Sequence, residues 1–281
     1  MSRAASPAGE RGFALLIVLW TLVLASLIGT QVTAAGRGEV QLAANLRAAA
    51  VLEAAADGVV HEAIFRMLDR SEAGWRADGR RRVVALPNGV PAGAASVLLE
   101  DQAGKLNPNT ASQELLAALL RLLGADARRA DGVAAAIADW RFPSAAARPL
   151  GGKAREYRAA GLGYGPPEAP FRSLGEVGAV LGMTPALLAR LAPHFSLFQD
   201  GDVDPGLAGP LILQALRSSL GAQEFAASTQ TGVRVVAVTA SVARPDGANF
   251  TRRAVVRVGA GTAGRPYQIL AWDGPGDEPG G

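Results

Sequence analysis

The chain has 281 residues, with 28 Lys and Arg against 25 Asp and Glu, and a net charge of +3. It contains no cysteine, which excludes disulfides, thiolate metal sites and thiol nucleophiles. Its two histidines, His61 and His194, lie far apart in the sequence, which disfavours a multi-histidine metal centre. Since no phosphate-binding loop, Ser/His/Asp arrangement or paired-carboxylate motif stands out either, the chain is not predicted to be an enzyme.

The N-terminal part carries an uncharged stretch over residues 12–36, and residues 13–28 are almost continuously apolar. A bilayer core needs about 20 helical residues, so the stretch predicts a transmembrane helix at 13–35 behind a leader at 1–12. The alternatives are a buried helix of a soluble protein and a signal peptide cut near Ala34-Ala35-Gly36.

Helical periodicity continues beyond this span and favours an uncut helix. Apolar residues recur at steps of three and four: Leu42, Leu46, Ala49, Leu52, Ala56, Val59, Ala63, Ile64 and Met67. The pattern predicts one helix from Phe13 to Leu68, roughly 80 Å long at 1.5 Å per residue. Glu53, Asp57 and Glu62 are interpreted as its polar face.

The start of the span, Glu10-Arg11-Gly12-Phe13, resembles the processing site of type IV prepilins. The resemblance implies cleavage between Gly12 and Phe13 by a prepilin peptidase and methylation of the new N-terminus at Phe13. Most members of that class carry Glu at the fifth mature position, where this chain has Ile17. A carboxylate in the membrane needs a partner, so Ile17 suits a subunit with no neighbour above it. Protein K of the type II (general) secretion pathway characteristically lacks this Glu.

The rest of the chain divides by its patterns into strands and helices. Residues 82–86 and 95–99 flank a turn-rich segment and predict a hairpin, and three further strands are predicted at 233–240, 252–258 and 267–272. The Ala/Leu-rich residues 102–200 predict a helical subdomain, and a short helix is expected around 211–220.

These elements predict an α+β fold, in which a long N-terminal helix packs on a small antiparallel sheet and an all-α subdomain is inserted. The pseudopilin domain is expected to comprise residues 36–101 and 201–273. The inserted subdomain is expected at 102–200, and residues 274–281 form a tail that is predicted to be disordered.

The resemblance to the protein K family covers nearly the whole chain. Residues 101–111 (DQAGKLNPNTA) are similar to its Asp-Glu-x-Gly-Lys-Ile-Asn-Leu-Asn-Thr-Ala signature, residues 137–140 (IADW) to its Ile-x-Asp-Trp motif, and residues 267–272 to its closing strand. The residues themselves indicate an architectural role, because Asp101 and Gly104 favour a turn and Asn109 or Thr110 can cap the helix that begins near Ser112.

Calcium is the one cofactor that this resemblance suggests, since protein K is described as holding it in the loop after the Asp-Trp motif. Asp139 and Glu156 are the two acids that match the expected ligands. Four basic residues lie between them, and the rest of the family's acidic cluster is missing. A helix cap at Asp139 and a surface ion pair at Glu156 is therefore the favoured interpretation.

An alternative function comes from residues 171–184, which resemble the helix-hairpin-helix DNA-binding modules of competence proteins with one membrane helix. Arg121, Arg128 and Arg129 are candidates for a basic face. Such a hairpin needs Gly on both sides of an apolar residue, so that backbone N–H groups face phosphate. Thr184 stands at the second place and Asp126 puts an acid near the other hairpin, which disfavours nucleic acid.

The function that the resemblance implies is that of a minor pseudopilin, which initiates the pseudopilus used to export folded proteins and caps its tip. The implied partners are proteins I and J of the pathway, the prepilin peptidase and the pseudopilus. The implied location is the bacterial inner membrane, crossed once, with the C-terminal bulk in the periplasm.

Overall fold

A computed structural model describes residues 8–87, 93–143, 146–199, 201–220, 232–262 and 264–273. Residues 1–7 of the predicted leader, most of the predicted hairpin turn and the predicted tail lie outside these ranges. The chain divides into two compact units, Met1–Leu52 and Glu53–Gly281.

The first element is a continuous helix, α1, at Ala8–Leu68, which confirms the predicted helix. It has Arg66 in its last turn, where a positive charge complements the helix dipole. From Glu53 onward one apolar face of α1 is buried, whereas Phe65 outside that face is exposed. The buried residues are Ala56, Val59, Val60, Ala63 and Ile64.

All five strands form one antiparallel sheet in the order β1-β2-β3-β4-β5. Its strands are β1 at Asp78–Val84, β2 at Ala94–Asp101, β3 at Val233–Ala243, β4 at Asn249–Thr262 and β5 at Arg265–Asp273. The predicted hairpin pairs as expected, with Arg82 opposite Val97.

One sheet face packs against the second half of α1. Arg252 in β4 hydrogen-bonds to α1, so Ala254 and Val256, which alternate with it along the strand, share its face. Their cross-strand partners Val238 and Val236 lie on the same face, and all four are buried. The predicted packing of the helix on the sheet is thereby confirmed.

The helical part is an insertion between two neighbouring strands, β2 and β3, which pair along their whole length. Its helices are α2 at Gln113–Leu122, α3 at Ala127–Arg141, α4 at Ala154–Ala159, α5 at Pro185–Leu191 and α6 at Pro210–Leu220. The α+β class with an inserted all-α subdomain is confirmed.

We call α2 to α6 and the segments that join them the helical body. Its hydrophobic core extends further along the chain than predicted. It is built around α2 and α3, and α6 contributes Ile212, Ala215 and Leu216 to the same cluster. These three residues recur at steps of three and one, on the face that packs against α2. The predicted boundary at residue 200 therefore falls before the last helix of this core.

Candidate functional site

The predicted membrane anchor is the apolar part of α1. Phe13–Gln31 has a mean hydropathy of 2.4, and none of it is buried within the chain. The span is long and apolar enough to cross a bilayer. Gly12, Phe13 and Ile17, the residues of the predicted processing site, all lie within α1.

Beyond the span, α1 carries a short exposed apolar stripe. Leu42 is 60% exposed and Leu46 is 63% exposed, and a spacing of four residues places them on one helix face. These two residues belong to the predicted apolar periodicity, but they bury little surface within the chain.

The second half of α1 is tied to the sheet by a charged cluster centred on Arg252. Its guanidinium donates to Asp57 Oδ1 at 2.7 Å and to Glu53 Oε1 at 2.6 Å. Burial disfavours the charge of Arg252, but the hydrogen bonds with Asp57 and Glu53 outweigh it and raise its pKa. Glu53 and Asp57 belong to the predicted polar face of α1, and the structure adds that both bind Arg252 of β4 while remaining partly exposed.

The aromatic ring of Trp272 extends this cluster. It lies 5.6 Å from the Arg252 guanidinium and 5.4 Å from the ring of His61. Because Trp272 belongs to β5, the C-terminal strand is also in contact with α1.

The signature segment 101–111 joins the sheet to the helical body. Asp101 ends β2, where its Oδ1 caps Ala103 N at 3.0 Å and its Oδ2 accepts from Arg234 of β3 at 2.8 Å. Leu106 is fully buried and pairs with the segment after α5, donating to His194 O at 2.9 Å and accepting from Ser196 N at 2.8 Å.

Gly104 within this segment has no room for a side chain. A Cβ at this position would lie 2.2 Å from the backbone oxygen of Leu207. The segment leading to α6 therefore packs directly on the signature backbone, a close approach that only glycine permits.

Two asparagines of the signature bind distant backbone. Asn107 Nδ2 donates to Gln199 O at 2.7 Å. Asn109 binds both polar groups of Phe171, donating to its carbonyl at 3.0 Å and accepting from its amide at 2.7 Å. The predicted cap by Asn109 or Thr110 is wrong, since Ser112 caps α2 by accepting from Leu115 N.

Arg141, at the end of α3, completes this junction. It is 8% exposed and donates to Pro108 O and, at 2.6 Å, to Ala111 O. Burial, with a smaller contribution from Arg148, lowers its pKa to about 10. Next to it Trp140 stacks on Phe171, with ring centroids 5.6 Å apart. The two sequence motifs thus meet at one junction.

The first candidate calcium ligand, Asp139, is fully buried at the end of α3. Its Oδ1 binds Arg148 Nη1 at 2.8 Å, and its Oδ2 accepts from Arg148 N at 2.9 Å and from Gly152 N at 3.1 Å. Both carboxylate oxygens are therefore engaged by groups of the loop itself.

The second candidate, Glu156, folds back on the start of its own helix. Its Oε2 accepts from Lys153 N at 2.9 Å, and backbone hydrogen bonds, chiefly that one, lower its pKa. No group of three or more His, Cys, Asp or Glu that could hold a metal occurs among the residues that the structure describes. Calcium takes six to eight oxygens, so this donor set does not fit it.

In the two segments that resemble DNA-binding hairpins, around residues 121–129 and 171–184, the polar side chains bind other groups of the same chain. Arg121 pairs with Asp131, and Arg129 donates to Gly182 O at 3.3 Å. The side chains of Asp126 and Thr184 cap α3 and α5, where backbone N–H groups would otherwise face phosphate. This arrangement suits helix packing and gives the DNA-binding alternative no support.

A cleft of about 480 Å³ lies between the β1 hairpin and the helical body. Its lining includes Lys105, which pairs with Glu100 at 3.6 Å, and His194. Burial, followed by repulsion from Lys105, lowers the pKa of His194. The lining comes from both the sheet and the helical body and points to no particular ligand.

Comparison with known proteins gives a family match for part of the chain. Residues 94–200 match the first-domain model of "Type II secretion system (T2SS), protein K". The resemblance to type II secretion protein K is confirmed. The matched segment begins with β2 and contains both the 101–111 signature of protein K and the Asp139-Trp140 motif.

The fold has a counterpart among solved structures. A chain in the crystal structure of the GspK-GspI-GspJ complex from enterotoxigenic Escherichia coli has a TM-score of 0.57 and 16% sequence identity. The match covers 79% of this chain and 94% of that one, and at this identity it shows a shared fold. No curated protein matches the chain.

Several functional residues have no clear signal in the sequence. Arg252 lies 199 and 195 residues from the two acids that it binds, and its strand pattern gives only an alternating position. In the sequence, Lys153 is one of four basic residues between Asp139 and Glu156. That excess of cations is the signal that the loop carries.

Proposed function

We propose that this chain is a minor pseudopilin that initiates the type II secretion pseudopilus and occupies its tip. The observation that carries the proposal is the helical body of the protein K type, inserted between β2 and β3 of a sheet that packs on α1. An inserted body of this size would obstruct regular stacking of identical subunits. A subunit that carries it therefore suits the end of a filament.

The span Phe13–Gln31 anchors the precursor in the inner membrane, and the folded C-terminal unit lies in the periplasm. Cleavage after Gly12 and methylation of Phe13 follow from the resemblance of this junction to prepilins. Mass spectrometry of the mature membrane form is expected to find N-methylated Phe13 at the N-terminus. An intact Met1, or an N-terminus near Ala35, would contradict the processing step.

The partners are pseudopilins of the I and J types, by analogy with the complex in which the structural neighbour was solved. The exposed stripe formed by Leu42 and Leu46 is the surface through which α1 packs on their helices. Replacing both residues by Asp is expected to lower co-purification with these partners from detergent-solubilised membranes at least tenfold. Ala44→Asp is the matched control, because Ala44 is exposed on the opposite helix face.

Position at the tip is tested separately from partner binding. A C-terminal epitope tag on this chain is expected to place immunogold label at one end of sheared pseudopili. Label spaced along the filaments would overturn the tip assignment while leaving the pseudopilin assignment in place.

A further inference from the structure

The loop between α3 and α4 is closed by two of the chain's own cations, Arg148 and Lys153. Their partners are oxygen atoms of Asp139, Phe142 and Glu168. We propose that this loop folds independently of calcium, because these two cations satisfy the oxygens that a metal ion would otherwise bind. The inference does not depend on the proposed position of the chain in a pseudopilus.

Lys153 supplies the first part of the argument. It is only 8% exposed, and its Nζ donates to Asp139 O at 2.7 Å and to Phe142 O at 2.6 Å. The ammonium also pairs with Glu168 Oε1 at 3.1 Å. An ammonium has three N–H donors, so these three oxygens account for all of them.

The Lys153 ammonium lies at the C-terminal end of α3, which stabilises its positive charge. α3 ends at Arg141, so Asp139 O is one of the helix-terminal carbonyls that lack an intrahelical partner. The C-terminal end of a helix carries a partial negative charge and favours a cation. Lys153 therefore provides at the end of α3 the positive charge and the donors that a bound metal would provide.

Arg148 supplies the second part. Its guanidinium and its backbone amide both bind the Asp139 carboxylate, and Gly152 N binds the same group. A Cβ on Gly151 would lie 2.3 Å from Asp139 Oδ2, so the loop backbone closes tightly around this carboxylate. Buried charges are tolerated when paired and hydrogen-bonded in this way. The buried Asp139 carboxylate is thus neutralised and hydrogen-bonded by groups of this loop.

The test uses the full chain in detergent and follows thermal unfolding with excess EGTA, with millimolar calcium and with millimolar magnesium. We expect the same Tm in all three conditions. Lys153→Met keeps most of the apolar stem but removes the ammonium and leaves the two carbonyls without donors, and it is expected to lower Tm by about 5 °C or more. Arg155→Met is the control, because it removes a positive charge from an exposed position of α4.

Hydrogen exchange gives a local readout of the same loop. The amides of Arg148 and Gly152 donate to Asp139, so they are expected to exchange slowly in EGTA and faster in Lys153→Met. A saturable rise in Tm with calcium but not magnesium would overturn the inference. An equal Tm for Lys153→Met and Arg155→Met would also overturn the inference. If Lys153→Met does not fold at all, the calcium titration of the unaltered chain still decides.

Discussion

The sheet of this protein is joined to α1 and to the helical body by two different physical means. Toward α1 the polar connection is one buried guanidinium, Arg252, shared by two acids that remain partly solvated. Toward the helical body the connection is close packing of backbone on backbone, which we call backbone fit. Gly104 lies against the backbone of Leu207, and Leu106 forms a β-bridge with Phe195. A charged contact between flexible side chains tolerates small displacements, whereas backbone packed on backbone does not.

Gly104→Ala is expected to have the largest effect, because it tests the backbone fit directly. The new Cβ would meet a backbone carbonyl carbon at 2.5 Å as well as its oxygen, and neither can rotate away. We expect a loss of about 3 kcal/mol in the free energy of unfolding, measured by urea denaturation of the full chain in detergent. Gly209→Ala is the control, since nothing lies within 4 Å of its Cβ position. Equal stability of the two variants would remove backbone fit as the basis of this junction.

Arg252→Met tests the charged connection, and a smaller effect is expected. The side chain of Arg252 is 8% exposed, but those of Glu53 and Asp57 are 52% and 33% exposed, so water replaces much of what the acids lose. A loss of about 2 kcal/mol follows from two hydrogen bonds to charged groups at a partly solvated site.

Arg253→Met is the matched control for Arg252→Met. Arg253 is the next residue of β4 and faces the other side of the sheet, where it lies near the like charge of Lys105. Its replacement is expected to leave the free energy of unfolding unchanged or slightly increased. A larger loss for Arg253→Met than for Arg252→Met, in the same urea titration, would show that the cluster on α1 contributes no special stability.

The same contrast separates what the sequence predicts from what it does not. The long helix, the five strands and the insertion follow from periodicities of three to four and of two, which are set by neighbouring residues. The Arg252 cluster joins residues almost two hundred positions apart, and no local pattern carries that information.

The candidate site was predictable to the same limited extent. The turn-forming and capping residue types of the 101–111 signature predict an architectural role, but its partners Phe171, Gln199 and Leu207 are fixed only by tertiary packing. In the same way, the sequence showed that acids were missing after Asp139. It did not show that Lys153 reaches the carbonyls at the end of α3, because that contact depends on the path of the loop backbone.

Acidification is expected to have the smallest effect and acts at the cleft beside the backbone junction. Burial and Lys105 lower the pKa of His194, so the unfolded chain binds a proton at this residue more readily than the folded chain does. The contribution of His194 to stability is therefore fully present above its unfolded pKa of about 6.5 and is lost as pH falls from there toward the folded pKa.

Because other groups also titrate in this range, the quantity to measure is the difference in unfolding free energy between the unaltered chain and His194→Gln at pH 7.5 and 5.5. The advantage of histidine is expected to shrink at pH 5.5. A difference that grows on acidification would mean that protonated His194 has a partner in the folded cleft, and the joint would then depend on charge as the α1 contact does.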